Sequence, residues 1–358
     1  MTIPEHRKAI DKLDAKIVRL LNERTGHVLS IGELKVKAGD AIYAPHRERV
    51  ILQRICKLNQ GPIKDESLRA IYREIMSSAL SLEKSMTIAY LGPEATFTHQ
   101  AAIQRFGSSL LYAPQNTIAD IFTAVSQGRA DYGVVPVENT TEGVVTHTLD
   151  MFVDSDLRIV AQIVLPIQYC LAGEGPLKEV RRLFVHPQAL AQCRLWVQRH
   201  LPRAEILETS SNARSAERAS HPDPARPGPS AAITGFLAAE KYNLKIIERH
   251  IQDFTDNATR FLVLGRQCGP ATGRDRTSLM VSIADEVGAL YHVLALFWRN
   301  KLNMTKIESR PSKRKAWEYF FFVDCDGHYT DPKVAKAIAG LEAACHFAKV
   351  LGSYPNGD

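Results

Sequence analysis

From Glu5 to Lys37 the chain has no proline, and Ile10, Leu13, Ile17, Leu20, Leu21, Val28, Ile31 and Leu34 recur at helical spacing, with only Gly26 and Gly32 as weak points. A run of this length predicts one unusually long helix. Two further amphipathic stretches, Pro45 to Asn59 and Asp65 to Lys84, are separated by the break Gln60-Gly61-Pro62, so residues 1 to 84 read as a three-helix unit. One long helix and two shorter ones expose more apolar stripe than they can cover, which predicts dimerisation by helix packing.

At Met86 the period changes. Thr87 to Leu91 is a short β-type run, followed by a Gly92-Pro93 turn and a helix from Thr96 to Phe106. Helical stretches (Ile118 to Gln127, Val144 to Phe152, Ala189 to His200, Phe236 to Tyr242) then alternate with strand runs (Tyr132 to Val137, Ile159 to Leu165, Arg182 to Val185, Phe261 to Leu264). That alternation predicts an α/β domain with a parallel or mixed sheet. Its length suits two lobes, with crossings expected near Leu165 and Ser230. His221 to Ser230 holds four prolines and reads as a mobile surface loop. After the linker Cys268 to Asp275 come β (Ser278 to Ile283), α (Ala289 to Leu302), β (Met304 to Ser309), β (Trp317 to Val323), α (Pro332 to Cys345) and β (Ala348 to Leu351), a ferredoxin-like order.

Within 358 residues, 45% hydrophobic, there is room for two or three domains. Charged residues fill the N-terminal segment where a signal peptide would be apolar, and Ile159 to Gly173 is too short to cross a bilayer, so a soluble cytoplasmic protein is expected. The six cysteines are scattered without metal-ligand spacing and read as reduced thiols; no metal or cofactor is implied. Residues 1 to 84 carry 16 Lys/Arg against 11 Asp/Glu, within a net charge of +6. These charges are spread along helices rather than clustered with aromatics, which favours a small anionic ligand over nucleic acid.

Arg24 lies on the apolar seam of the first helix, seven residues from both Ile17 and Ile31. Lys35 follows nearly in phase, about 16 Å along the axis, so the two cations could hold a small dicarboxylate or could both extend to solvent. Arg7 is rotated by about 100° from Arg24 and lies about 25 Å away, too far to serve the same pocket within one chain. Arg47, Glu48 and Glu83 could each close such a pocket.

Arg7, Asp14, the run Leu20 to Arg24, Lys35 and Arg47-Glu48 together resemble the all-helical chorismate mutase family over this whole unit. The resemblance implies that Arg24, Lys35, Arg47, Glu48 and Glu83 line one site, completed by Arg7 of a second chain. It implies an electrostatic catalyst for a pericyclic rearrangement, with no nucleophile. Ala44 and Ala79 stand where relatives carry polar residues.

The runs Gly92 to Thr98, Val135 to Gly143, His186 to Cys193 and Asp256 to Phe261 place polar residues near strand and helix junctions. In this order they resemble the prephenate dehydratases, whose diagnostic triplet is Thr259-Arg260-Phe261. The implied fold is two-lobed α/β, of the periplasmic-binding-protein type. The implied catalytic group is Thr259, with Thr96, Asn139, Thr140, His186, Gln192, Arg260 and Phe261 contacting substrate. Ala95 stands where glycine is usual, and Val185 where serine is common.

In the last module Gly288-Ala289-Leu290 opens a helix and Asn303 to Pro311 spans a strand. They resemble the ACT regulatory domain, which implies an L-phenylalanine site between two chains formed by Gly288, Ala289, Leu290, Asn303, Glu308, Ser309, Arg310 and Pro311. Lys313-Arg314-Lys315 reads as a solvated hairpin tip. The three resemblances divide the chain into 1–85, 86–267 and 276–358. They imply a homodimer or higher homo-oligomer acting on chorismate and prephenate, without nucleic acid or membrane partners. A non-catalytic small-solute-binding regulatory protein is the competing reading. A nicotinamide-dependent dehydrogenase is disfavoured, because no G-x-G-x-x-G occurs.

Overall fold

A computed structural model describes residues 1–39, 43–221, 228–283, 285–312 and 319–356. Helix α1 (Ile3–Ala38) begins with a proline in its first turn, and the Thr2 N–H donates to the Glu5 carboxylate at 2.7 Å. Helix α3 (Asp65–Glu83) packs against both α1 and α2 (Pro45–Leu58). Asn59 fixes the turn between α2 and α3 by donating to the Ile63 carbonyl and the Asp65 carboxylate, each at 2.7 Å. From Leu21 onward the shielded residues of α1 are Leu21, Arg24, Thr25, Val28, Gly32 and Lys35, a single strip at helical spacing. Most of the apolar seam faces away: Ile10, Leu13, Ile17, Leu20, Ile31 and Leu34 are 51–64% exposed. These helices form one compact unit, Met1–Thr87 with Arg105–Leu111; Ile88–Gln104 with Tyr112–Asp358 form the other.

The second unit carries three sheets. The first is built from β1 (Thr87–Leu91), α4 (Phe97–Phe106), β2 (Leu111–Gln115), α5 (Ile118–Ser126), β3 (Tyr132–Asn139), β4 (Gly143–Val144), α6 (Thr146–Met151) and β5 (Arg158–Pro166). The second contains β6 (Cys170–Gly173), β7 (Arg182–Val185), α7 (Pro187–Gln192), α8 (Arg194–His200), β8 (Glu205–Glu208), α9 (Asn212–Ala219), β9 (Ser230–Thr234), α10 (Phe236–Lys241) and β10 (Lys245–Arg249). The chain then returns to the first sheet as β11 (Ala258–Gly265), giving the orders β2-β1-β3-β11-β5, with β4 on β3, and β10-β6-β9-β7-β8. Both sheets are mixed: β1 runs parallel to β3, and β11 antiparallel to β3 and β5.

The third sheet holds β12 (Asp275–Ser282), α11 (Ala289–Arg299), β13 (Met304–Pro311), β14 (Tyr319–Asp326), α12 (Pro332–Ala344) and β15 (Phe347–Pro355), ordered β13-β14-β12-β15. The βαββαβ order is the one expected. Met280, Phe320, Phe322, Leu351 and Tyr354 of this sheet share one buried cluster with Val137, Ile159, Leu262 and Leu264 of the first sheet and with Leu149 and Phe152 at helix α6. Its packing therefore continues the core of the first lobe.

Three expectations are corrected. The outward crossing does fall just after Leu165, but the return lies between Arg249 and Ala258 rather than near Ser230, because Ser230–Thr234 is a wholly buried strand paired with β6 and β7. The stretch Ala189 to His200 is two helices that break at Cys193, where the Asp253 carboxylate accepts from the Leu195 and Trp196 N–H groups and starts α8 afresh. Val144 to Phe152 is helical only from Thr146, since Gly143–Val144 pairs with β3. The proline-rich residues 222–227 and the Lys313-Arg314-Lys315 run lie outside the described residues. Among the described residues no helix is long and apolar enough to cross a membrane.

Candidate active sites

In the helical unit, Gly32 lets α1 and α3 approach closely: a Cβ there would stand 3.0 Å from Glu83 Cγ. A cavity of about 450 Å³ opens at this contact, lined by Leu29, Gly32, Val36, Leu82 and Glu83 among others. Burial raises the Glu83 pKa, partly opposed by the positive charge of Lys35. Arg24 Nη1 and Glu83 Oε2 are buried without a hydrogen-bond partner among the described residues. Arg7 and Arg47 are exposed, whereas Glu48 is half-buried and ion-paired.

The second cluster forms where the end of β3 lies beside the start of β11, with Thr259 opposite Asn139 in register. The Asn139 carbonyl oxygen accepts from the backbone N–H groups of Thr141 (2.9 Å) and Glu142 (3.1 Å). This fixes the amide, so its Nδ2 donates to Thr259 Oγ1 and Asn257 Oδ1, both at 2.8 Å. Asn257 donates in turn to Gln192 Oε1, and Gln192 donates to the Glu142 carboxylate at 2.7 Å. Gln188 also donates to Glu142. The chain of contacts runs from Thr259 in the first lobe to helix α7 in the second. Thr140 closes the same corner, accepting from the Ala258 N–H at 2.9 Å.

His186 caps α7, its Nδ1 accepting from the Gln188 N–H at 3.3 Å. Burial lowers its pKa, opposed by Glu142 and Glu208, which favours a neutral ring. Thr96 serves the start of α4: its hydroxyl donates to the Leu91 carbonyl at 2.9 Å and accepts from the His99 N–H. Beside it Ala95 has φ +64°, the left-handed region, which is why glycine is the residue expected there.

Arg260 does not join this cluster. Its guanidinium lies 2.7 Å from the Asp324 carboxylate of β14 and 3.9 Å from Glu138, with the Arg260 and Asp324 side chains 11% and 7% exposed. Burial works against this charge, but Tyr354, Asp324 and Glu138 outweigh it and raise the arginine pKa. Ser278 Oγ donates to the other Asp324 oxygen at 2.6 Å, so the Tyr354 hydroxyl, 2.8 Å away, must donate to Ser278. Asp324→Ala leaves the buried guanidinium with only the longer contact to Glu138 and is expected to cost about 3 kcal/mol, measured by denaturant unfolding. Unchanged stability would refute this account. Phe261 is 2% exposed and belongs to the packed core.

In the third sheet Gly288, at φ +87°, precedes α11, with Ala289 and Leu290 as the first two residues of that helix. On edge strand β13 exposure alternates: Ile307, Ser309 and Pro311 face out, while Lys306, Glu308 and Arg310 are half-buried. Lys306 pairs with Glu138 and Arg310 with Asp150, at 3.3 Å. Asn303 Nδ2 donates to Asp326 at 2.9 Å. Sequence reasoning passed over Asn257 and Glu142, although both lie inside the polar runs it noted, and over Asp324, whose only signal is an acidic residue in an apolar strand.

Family profiles match in order: chorismate mutase type II over residues 6–84, prephenate dehydratase over 88–269 and the ACT domain over 277–343. The bifunctional chorismate mutase/prephenate dehydratase of Aquifex aeolicus is 48% identical over 99% of this chain and 98% of its own length. That of Neisseria gonorrhoeae is 45% identical over 98% and 96%. The crystal structure of prephenate dehydratase in complex with L-Phe from Arthrobacter aurescens superposes with a TM-score of 0.70 at 37% identity, covering 76% of this chain and 90% of that one. With three profiles in this order and relatives this similar over nearly their whole length, the chain belongs to the bifunctional chorismate mutase/prephenate dehydratase family.

Proposed function

We infer that the protein converts chorismate to prephenate and prephenate to phenylpyruvate, under feedback by L-phenylalanine. The observation that carries the second reaction is the Asn139–Thr259 contact. Because the Asn139 amide donates to Thr259 Oγ1, the threonine is left to donate its own proton. That proton is offered to the departing ring hydroxyl, which leaves as water, while the electrons of the breaking C–CO₂ bond complete the aromatic ring. A threonine hydroxyl is a weak acid, so its contribution is a directed hydrogen bond or a proton relay, and aromatisation supplies the driving force. Asn139, Thr140, Gln192 and neutral His186 bind prephenate around it.

The rearrangement of chorismate needs no nucleophile. Arg24, Lys35, Arg47 and Glu48 bind and orient the dianion, and Glu83, protonated, donates to the ether oxygen. Its raised pKa sets the sign: mutase activity falls as pH rises through that value and the donor is lost. Glu83→Gln donates at every pH, so its mutase profile should stay flat where the parent enzyme declines. Identical profiles would remove Glu83 from this role.

Arg7 belongs to the site of a second copy, and the exposed seam of α1 is the surface on which the two copies pair. The domains divide at 1–85, 86–267 and 276–358, and the protein works in the cytoplasm. L-Phenylalanine binds at Gly288, Ala289, Leu290, Asn303 and Glu308 to Pro311, and a coupling of about 1–3 kcal/mol would give several-fold to hundredfold inhibition. The ion pairs Lys306–Glu138 and Arg310–Asp150 tie β13 to the first lobe, and Glu138 immediately precedes Asn139. The deciding experiment supplies chorismate without nicotinamide to the purified full chain. Phenylpyruvate should form, and formation should fall with added L-phenylalanine; no turnover with ligand binding intact would favour a non-catalytic sensor.

A further inference from the structure

The helical unit includes Arg105–Leu111, residues that lie within the stretch matched by the dehydratase profile. Arg105 closes the last turn of α4, and its Nη2 stands 3.4 Å from the Glu48 carboxylate, with side chains only 12% and 15% exposed. Its Nε donates to the Tyr43 hydroxyl at 2.6 Å, and the guanidinium lies 5.8 Å from the centre of the Tyr43 ring. Tyr43 is 3% exposed and its ring packs 4.9 Å from that of Phe106. The residues that follow are also built in: Ser108 donates to the Glu74 carboxylate through N (3.0 Å) and Oγ (2.6 Å), and the Ser109 N–H donates to Ser77 Oγ at 3.1 Å.

A carboxylate in a site for a dianion repels its ligand unless a counter-charge is fixed beside it. We propose that Arg105 is a positioning residue of the mutase: it balances and orients the Glu48 carboxylate, so that Glu48 accepts a hydrogen bond from the chorismate hydroxyl without repelling the two substrate carboxylates. The proposal rests on Glu48 lining the chorismate site. Tyr43, held against Phe106, sets the angle of the guanidinium. A residue whose sequence position places it in the second enzyme thereby completes the first.

The test uses full-length Arg105→Gln, Glu48→Gln, the double variant and Arg105→Lys, assayed separately on chorismate and on prephenate. Because the Glu48 contact is made in ground and transition states alike, Arg105→Gln should raise the chorismate KM about tenfold with little change in kcat. The prephenate reaction should stay within about twofold, the double variant should be no worse than Glu48→Gln, and Arg105→Lys should recover part of the loss. Normal chorismate kinetics in Arg105→Gln, or an equal loss in the Glu48→Gln background, overturns the proposal. Should Glu48→Gln alone leave the mutase unaffected, the assignment of Glu48 fails and the role of Arg105 falls with it. If Arg105→Gln does not fold, Tyr43→Phe removes only the orienting hydroxyl; it should raise KM in the parent background and not in Glu48→Gln, and an equal rise in both again overturns the proposal.

Discussion

Thr259→Val is expected to lower prephenate turnover by about 10²–10⁴-fold while chorismate turnover is unchanged, so prephenate accumulates when the variant is fed chorismate. Valine keeps the shape of the side chain and removes the hydroxyl that accepts from Asn139. The loss therefore reports the proton that Thr259 offers and not a collapsed strand. The swap also leaves one Asn139 N–H to its remaining acceptors, Asn257 Oδ1 and the Ala258 carbonyl, so the backbone pairing of β3 with β11 persists. Phenylpyruvate formation by Thr259→Val at near the parental rate would show that another group assists the departing hydroxyl.

Arg24→Ala should have the opposite signature: chorismate turnover falls by about 10²–10³-fold and prephenate turnover is retained. Arg24 lies on the shielded strip of α1, with one guanidinium nitrogen buried and without a hydrogen-bond partner among the described residues, and the proposed function gives it a substrate carboxylate to bind. Arg7 is on the same helix but exposed and roughly 25 Å along its axis. If two copies share each site, mixing inactive Arg7→Ala with inactive Arg24→Ala chains restores one intact site per heterodimer. Mutase activity should then reappear after subunit exchange verified by mass spectrometry. No recovery would mean that each site is built within one chain, and full activity in Arg24→Ala would remove this arginine from the chemistry.

Several parts of the molecule were legible in the sequence because their causes are local. The 36-residue helix α1 follows from an unbroken helical period between Pro4 and Gly39, and the short strand Arg182–Val185 from an apolar run between polar neighbours. Helix starts at Pro45, Asp65, Ile118 and Phe236 fall where the sequence period begins. Strands β2, β4, β6, β8, β9 and β10 and helix α9 are not legible in the sequence. Cys170–Gly173 and Ser230–Thr234 are short and flanked by proline and glycine, and they become strands because each pairs with a segment about sixty residues away.

The sites divide along the same line. In the sequence Arg24 stands out as a cation on an apolar seam, and the family resemblances point to Thr259, Asn139 and Glu83. Only the tertiary structure decides their partners: Asn139 and Thr259 are 120 positions apart, Arg260 and Asp324 are 64, and Tyr43 and Arg105 are 62. It also decides which side of a strand a residue serves, and this separates Arg260, held by the third sheet, from its neighbour Thr259 in the hydrogen-bonded corner. The physical reason is that periodicity is set by neighbours within a turn or a pleat, whereas a buried charge or amide is satisfied by whatever the fold brings to it from elsewhere in the chain.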